Sequence, residues 1–315
     1  MPPVTGLHVD AILTNLSRQY KNEEMIWDKV MPILPVNKRS DLYFTYNKQD
    51  AFTLGDDKIG ATGLANEMDW GVQTDNYSVT DHAFADWVSQ AAIDNADEPV
   101  QVEADTNNYL NLLLDIAQEN RVAGTVFNTG SYAATNQKTL SGTAQWGGGA
   151  DDPIGDIQTA IESCFQSANT LVFGVSTWVV LRSHPKILDA VKSATRFQAS
   201  GGGIATISEV AALFEVKNLL VGRSRYNTAK MGQNPTYTRL WGPHAAALYV
   251  EEKPGIRSIT FAATFCEMQR QTQRDFDPKR GVKGSQYFKV AWNSAEKVIA
   301  NDCGYLIYNA VNYTV

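Results

Sequence analysis

The spacing of apolar and polar positions changes several times along the chain, and each change predicts a different element. Val9, Ile12, Leu13, Leu16 and Tyr20 recur at helical spacing, and a shorter amphipathic piece covers 23–30. Met31-Pro32-Ile33-Leu34-Pro35-Val36 follows. Two prolines so close together forbid regular helix and favour extended chain. A segment with apolar patches and no core of its own must bury them on something else. Leu42, Phe44 and Tyr46 then alternate with Tyr43, Thr45 and Asn47, the period of a strand. Residues 50–68 turn polar, with Gly55, Gly60 and Gly63, and read as a mobile tip. A second β run returns through Trp70, Val72, Tyr77, Val79, Phe84 and Trp87. An isolated hairpin is marginal in water, so one this long and this aromatic is expected to lie on a partner.

Helical spacing resumes over 97–128, where Leu110, Leu113, Leu114, Ala117, Val122 and Val126 belong to a broad apolar stripe. The stripe predicts a helix of about 20 residues, roughly 30 Å long, with N-cap candidates at Asp105-Thr106-Asn107-Asn108. Residues 129–152 read as a loop. Asp152 as a cap and Pro153 at the first helical position open a second helix, with Ile154, Ile157, Ile161, Cys164 and Phe165 on one face. A buried strand over 170–175 precedes helices starting near Ser176 and after Ser183-His184-Pro185. Past a glycine-rich turn at 199–205, Thr206-Ile207-Ser208-Glu209 matches a capping box. Strands are predicted at 218–222, 245–250, 256–265, through Phe288, Val290 and Trp292, and over 304–308. Residues 223–243 read as irregular and 266–284 as a charged loop. The predicted fold class is α+β, and no internal period marks a solenoid.

Composition narrows the function. At 315 residues the chain is long enough for about two domains. With 43% hydrophobic and 19% charged residues it is neither disordered nor a membrane protein. A net charge of −7 disfavours wrapping nucleic acid as the main task. Cys164, Cys266 and Cys303 are odd in number, far apart and set among apolar neighbours, so they read as buried small hydrophobes. The N-terminus has no basic, then apolar, leader pattern, and assembly in a cytoplasm is expected. The longest uncharged stretch, 163–181, is broken by Gln166, Ser167, Asn169 and Thr170 and is no membrane span.

No constellation for catalysis emerges. His8, His82, His184 and His244 lack metal-ligand spacing and read as structural, with His184 capping or exposed at a helix start. Gly174-Val175-Ser176-Thr177-Trp178 resembles a nucleophile elbow, but Trp178 replaces the second glycine; Ser176 or Thr177 is expected to cap a helix. The glycine triplets at 147–149 and 201–203 lack what a phosphate loop requires, and no run of aspartates forms a calcium loop. Arg270, Arg274, Lys279, Arg280 and Lys283, interrupted by Asp275 and Asp277, read as a solvated loop of mixed charge. The chain is expected to be no enzyme and to need no cofactor or metal.

The order of elements then points to a family. So do the wording of Trp27-Asp28-Lys29-Val30-Met31-Pro32-Ile33-Leu34-Pro35-Val36, of 42–48 and 207–222, and of Asn301-Asp302-Cys303-Gly304-Tyr305-Leu306-Ile307. The chain resembles, over nearly its whole length, the major capsid proteins of tailed phages of the Hong Kong 97 type. The resemblance implies an N-arm at 1–40, an extended hairpin called the E-loop at 41–95 and a peripheral domain with a long spine helix at 96–151. An axial domain at 152–255 and return strands at 256–315 complete it. It implies pentamers and hexamers closing an icosahedral shell around double-stranded DNA, without sequence-specific binding and without a membrane. A separate scaffolding protein, a portal and a decoration protein are the implied partners. No removed scaffold segment and no interchain crosslink are expected. Trp27, Pro32, Pro35, Phe44, Tyr46, Phe52, Trp70, Tyr77 and Trp87 are the expected assembly contacts. The competing readings are an encapsulin-like compartment shell and, from a different class, a soluble α+β enzyme with an unrecognised site.

Overall fold

The computed structural model describes residues 8–9, 25–46, 57–59, 63, 66–67, 72–96, 101–195, 203–230, 232–253 and 259–312. The first part of the chain contributes β1 (His8–Val9), a single helical turn α1 (Trp27–Val30) and β2 (Ile33–Pro35). β3 (Ser40–Tyr46) and β4 (Val72–Ser78) form an antiparallel ladder of their own, from Ser40 opposite Ser78 to Tyr46 opposite Val72. β5 (Thr80–Ser89), a short helix α2 (Gln90–Asp94) and the long helix α3 (Val102–Val126) follow. Then come β6 (Gln137–Thr139), α4 (Pro153–Ser163), β7 (Thr170–Gly174), α5 (Val175–Ser183), α6 (Pro185–Thr195) and α7 (Ile207–Leu213). The last third is all strand: β8 (Asn218–Gly222), β9 (Arg225–Asn227), β10 (Tyr237–Arg239) and β11 (Ala245–Leu248). β12 (Ala262–Cys266), β13 (Gln271–Asp277), β14 (Ser285–Val298) and β15 (Gly304–Tyr308) complete it.

Two sheets organise these elements. One has six strands, ordered β1-β13-β14-β12-β2, with β5 also laddered to β14. The 14 residues of β14 serve as its axis, pairing β5 from Ser285 to Ser294 and β12 from Ala295 to Val298. The other sheet has five strands in the order β6-β15-β11-β7-β8. Its centre is apolar on both faces: β7 and β11 are buried along their whole length. On one side Ile157, Phe173, Trp178, Leu181 and Ile187 form a core with α4, α5 and α6. On the other, Val122, Val126, Trp241, Ala246, Phe261 and Leu306 join the sheet to the end of α3 and to the six-stranded unit.

α3 carries more than the apolar stripe predicted for it. Besides Leu110, Leu114, Val122, Ala123 and Val126 it buries Asn107, Asn111, Asp115, Gln118 and Glu119. The sequence counts those positions as polar and therefore exposed. The sheet supplies their partners, as buried polar groups require. Thr272 Oγ1 donates to Asn107 Oδ1 at 2.9 Å, and Arg270 reaches Asn111 and Asp115 at 3.3 and 2.6 Å. This ladder also moves the helix start. Its N-cap is Gln101, with no side-chain bond, so the expected caps at 105–108 lie inside the first two turns.

Other expectations shift for similar reasons. Only part of the charged run at 266–284 is a solvated loop: Gln271–Asp277 pairs with β14 as β13, with Arg270 and Arg274 on carboxylates of α3, while 278–283, with Lys279, Arg280 and Lys283, is an exposed turn. Residues 225–227 and 237–239 form a small antiparallel ladder inside a stretch read as irregular. α5 is capped by Gly174 rather than by Ser176 or Thr177, both of which are buried. A β-carbon at Gly174 would sit 1.9 Å from the carbonyl oxygen of Gly242, so the approach of the 242 backbone fixes that turn. Phe165 is exposed, off the buried face assigned to it. His184 caps the start of α6 as expected, its Nδ1 accepting from the Lys186 N–H at 3.3 Å, but it is buried rather than exposed, with Nε2 at 2.8 Å from Asp151. The capping box is present in both directions across Thr206 and Glu209, and all three cysteines are buried and outside any disulfide. Val9, the first position of the expected N-terminal helix, is instead a strand residue opposite Gln273; the rest of that helix, 10–20, and the glycine-rich turn at 199–202 lie outside the described residues.

A pH-sensitive seam lies where the two units meet. His244 accepts from the Asn309 backbone N–H at 2.9 Å, stacks on Tyr308 at 4.1 Å and meets the edge of Phe127 at 5.1 Å. Burial holds its pKa down to about 4. The folded state therefore excludes a proton that the unfolded chain takes up below about 6.5. That stability is complete above pH 6.5 and is lost as pH falls toward 4. From pH 7 to pH 5 the loss should be about 2 kcal/mol, read as a drop in the urea midpoint. Asp115 and Glu119, pushed up by burial, titrate with the opposite sign. Comparison with His244→Gln, in which the drop should shrink, isolates the histidine.

Candidate assembly surfaces

The first residues of the described arm are fixed to the body by one buried carboxylate. Glu119 sits on α3 and is fully enclosed. Its Oε1 accepts from Trp241 Nε1 at 2.6 Å and Ser224 Oγ at 3.2 Å; its Oε2 accepts from the Trp27 backbone N–H at 2.9 Å. The Ile26 N–H lies 3.2 Å from both oxygens. Burial pushes the carboxyl up, and the Trp241, Ile26, Trp27 and Ser224 bonds draw it back down. One side chain thus satisfies the exposed end of α1, an indole and a loop hydroxyl. No sequence motif announces it.

Beyond this anchor the arm crosses to a sheet edge. Met31 is fully buried, and its carbonyl accepts from Thr264 Oγ1 at 3.1 Å. β2 then runs parallel to β12, Ile33 opposite Thr264 and Pro35 opposite Cys266, and forms the outermost strand. The prolines suit this place, since an edge strand tolerates a missing N–H. Ile33 remains 42% exposed there.

The base of the β3–β4 hairpin is clamped onto the same sheet. Phe265 of β12 stacks on Tyr77 at 4.7 Å and tilts against Tyr43 at 5.2 Å. Tyr77 donates to the Lys38 carbonyl at 3.1 Å, and Tyr43 to Asp75 at 2.9 Å. Because side chains alternate along a strand, burying Tyr43 leaves Leu42 outward, and it is 62% exposed.

Four of the five basic residues of the run meet groups of their own subunit. Arg270 and Asp115 form a buried pair at 2.6 Å beside the Trp292 ring. Arg274 pairs with Glu103 at 2.8 Å, Arg280 lies 4.1 Å over Trp87, and Lys283 reaches Asp94 at 2.9 Å.

The expected contacts separate accordingly. Pro32 and Tyr77 are buried in their own subunit. Trp27 is half-buried against Trp292 at 5.7 Å, and Trp87 is half-buried beneath Arg280. Pro35 is exposed. Residues 44 and 46 occupy β3 opposite Thr74 and Val72. Phe52 and Trp70 lie outside the described residues. Several exposed apolar residues were not anticipated: Tyr109 on α3, Tyr237 on β10, Phe276 on β13 and Val282 in the turn before β14. Their charged or polar neighbours in sequence mask them. Among the described residues no cluster of metal-ligating side chains occurs, and no helix is long and apolar enough to cross a membrane.

Known proteins supply an independent comparison. No family model matches the chain. It is 34% identical over 304 residues to the major capsid protein of Pseudomonas phage JBD67, covering 96% of this chain and 97% of that one. A crystal structure of a phage-related protein from Bordetella bronchiseptica superposes with a TM-score of 0.77 at 24% identity, covering 97% of this chain and 98% of the other. The capsid structure of cyanophage P-SCSP1u superposes with a TM-score of 0.58 at 9% identity, covering 92% and 89%.

Proposed function

This chain belongs to the major capsid proteins of bacteriophages, and from that premise we propose which of its parts make the shell. The fold is that of the Hong Kong 97-type capsid proteins, and the role is structural: copies assemble into the capsid of the virion. In our reading they do so as pentamers and hexamers, in the host cytoplasm, with a separate scaffolding protein, a portal and a decoration protein. The filled shell holds double-stranded DNA without sequence readout, in keeping with a net charge of −7.

The observation that carries the interface reading is a hairpin rooted by Tyr43, Tyr77 and Phe265, with an apolar Leu42 turned to solvent. Positions 44 and 46 share the strand parity of Leu42. We assign the E-loop to the β3–β4 excursion, the peripheral domain to the six-stranded sheet with α3, and the axial domain to the five-stranded sheet with α4 to α7. β5 falls with the peripheral sheet because its whole length is laddered to β14. The 1–40 segment acts as the N-arm, held by Glu119 and β2. A closed ring needs head-to-tail interfaces, and an excursion on one side meeting a body on the next provides them. Many copies of one moderate contact then make a durable shell.

Deleting residues 50–68 tests this. The subunit should remain soluble with an unchanged unfolding midpoint, because Phe265, Tyr43 and Tyr77 lie outside the deletion. Particle yield, counted by negative-stain electron microscopy beside the wild type, should fall by about tenfold or more, as expected when one of several shared contacts is lost. Normal particle numbers would remove the hairpin from the assembly interface.

A further inference from the structure

β5 is an edge strand with one side open. Its 10 residues ladder to β14, and among the described residues no strand covers the other side. The Gln90 N–H donates to the Gly284 carbonyl at 3.1 Å, which sets the parity of that ladder. Even-numbered residues of β5 turn their N–H and C=O groups to β14, and Asp81, Ala83, Ala85 and Trp87 turn theirs outward. The carboxylate of Asp86 accepts from the Trp87 N–H at 2.8 Å. Ala83 and Ala85 are exposed and small enough for another backbone to approach. Exposed edges are usually blunted by proline, lysine or shortness, and β5 has none of these. Phe84, between the two alanines, keeps 40% of its surface in solvent.

An open edge accepts an added strand, and the side chains along it select which one. The order Asp81-His82-Ala83-Phe84-Ala85-Asp86-Trp87 complements itself when reversed about its centre. With a two-fold axis at Phe84, Ala83 and Ala85 exchange main-chain hydrogen bonds across the axis, and so do Asp81 and Trp87. Phe84 then faces its own copy, and His82 falls opposite Asp86, imidazole against carboxylate. Asp81, held at 2.6 Å by Arg39, comes opposite Trp87, over which Arg280 lies at 4.1 Å. Neighbouring axes do worse. At Ala85 the Asp86 carboxylate faces a phenyl ring, and at Asp86 it faces its own copy, where like charges repel. At Ala83 the overlap shortens and Asp86 meets only a threonine. We infer that β5 pairs with the β5 of a second copy of this chain across a two-fold axis at Phe84, making one continuous sheet from two subunits. A two-fold contact uses the same patch on both subunits and cannot close a ring of five or six, so this one joins neighbouring rings. The inference rests on the shell reading above and adds a contact separate from the β3–β4 excursion and the arm.

Cysteine placement reads the axis directly, in particles from cells producing the other head proteins of the phage. Phe84→Cys should crosslink to its own copy on mild oxidation, since opposed β-carbons in a ladder lie about 4.5–5.5 Å apart. Most chains should then run as dimers on a non-reducing gel. His82→Cys and Asp86→Cys, each about 13 Å along the strand from its own copy, should stay monomeric. The three native cysteines are buried and do not compete. Particle yield gives a second reading that keeps Phe84. Ala85→Pro removes an N–H that the subunit leaves unpaired, so the purified subunit should keep its unfolding midpoint while yield falls by about tenfold or more. His82→Asp sets a second carboxylate against Asp86 and should lower yield as far. Adding Asp86→Lys to it should return yield to within about threefold of wild type. Phe84→Cys particles with no more dimer than the two flanking variants overturn the proposal. Full yield from Ala85→Pro overturns it too, as does a failure of the double variant to recover; these two decide alone if Phe84→Cys makes no particles. Absence of particles from the wild type would strike the shell reading itself, and is visible separately in the same experiment.

Discussion

Glu119→Ala should give the largest loss of stability of any single change in the chain. It removes the acceptor for the Trp241 indole, the Ser224 hydroxyl and the backbone N–H groups of Ile26 and Trp27, all inside the protein. Each buried donor left unmade costs roughly 1–3 kcal/mol, and those at the open end of α1 have no helical carbonyl to turn to. A loss of at least about 4 kcal/mol is expected on the same basis, a large share of what a typical fold holds in reserve. The arm should detach before the body melts. Limited proteolysis should therefore cut near residue 25 in the variant at protease levels that leave the wild type intact. Glu119→Gln keeps one acceptor oxygen but turns an NH₂ toward the remaining donors, so an intermediate loss is expected. An alanine variant that unfolds at the wild-type urea concentration, with an uncut arm, would show that Glu119 is dispensable.

Phe265→Ala should have the second largest effect, and its consequence is local to the hairpin root. The ring is 2% exposed, stacked parallel on Tyr77 and tilted against Tyr43. Truncating a phenylalanine in a packed core costs about 3–5 kcal/mol, part of it for the cavity left behind. Here the cavity opens between β12 and the β3–β4 ladder, so the hairpin loses its seat on the sheet. The urea midpoint should drop, and hydrogen exchange should quicken over 40–46 and 72–79 more than over β7 or β11. Particle assembly should fall with it, because the excursion no longer leaves the body at a fixed angle. Phe265→Leu should recover much of the stability, since it refills most of the volume without the stacking. Equal exchange rates in the hairpin and in β7 and β11 would refute the seating role.

Much of the architecture was legible in the sequence. Period-2 alternation found β3, helical period found α3 and α4, and the Thr206–Glu209 pairing found the start of α7 because a capping box is closed within four residues. The Asp152-Pro153 start and the proline-bounded β2 were equally local. What was misread shares one cause. β13 looked like a charged loop because Arg274 within it, and Arg270 just before it, are placed only once Glu103 and Asp115 stand opposite them. The caps proposed at 105–108 failed because Asn107 is buried against Thr272, 165 residues away in sequence. Tyr77, read as a sticky surface aromatic, is a core residue because Phe265 is there to receive it.

The sequence by itself determined the order and period of the elements, the class of fold and the family, since each of these is written in neighbouring residues or in their succession. Only the tertiary structure decided which polar groups go inside and which apolar ones stay out. A carboxylate such as Glu119 is stable in the interior only when four donors from distant segments converge on it, and an exposed Leu42 follows from its neighbour Tyr43 being claimed by another strand. Burial is a property of the assembled neighbourhood, and the free energy of a polar group depends on partners that the chain brings together only by folding.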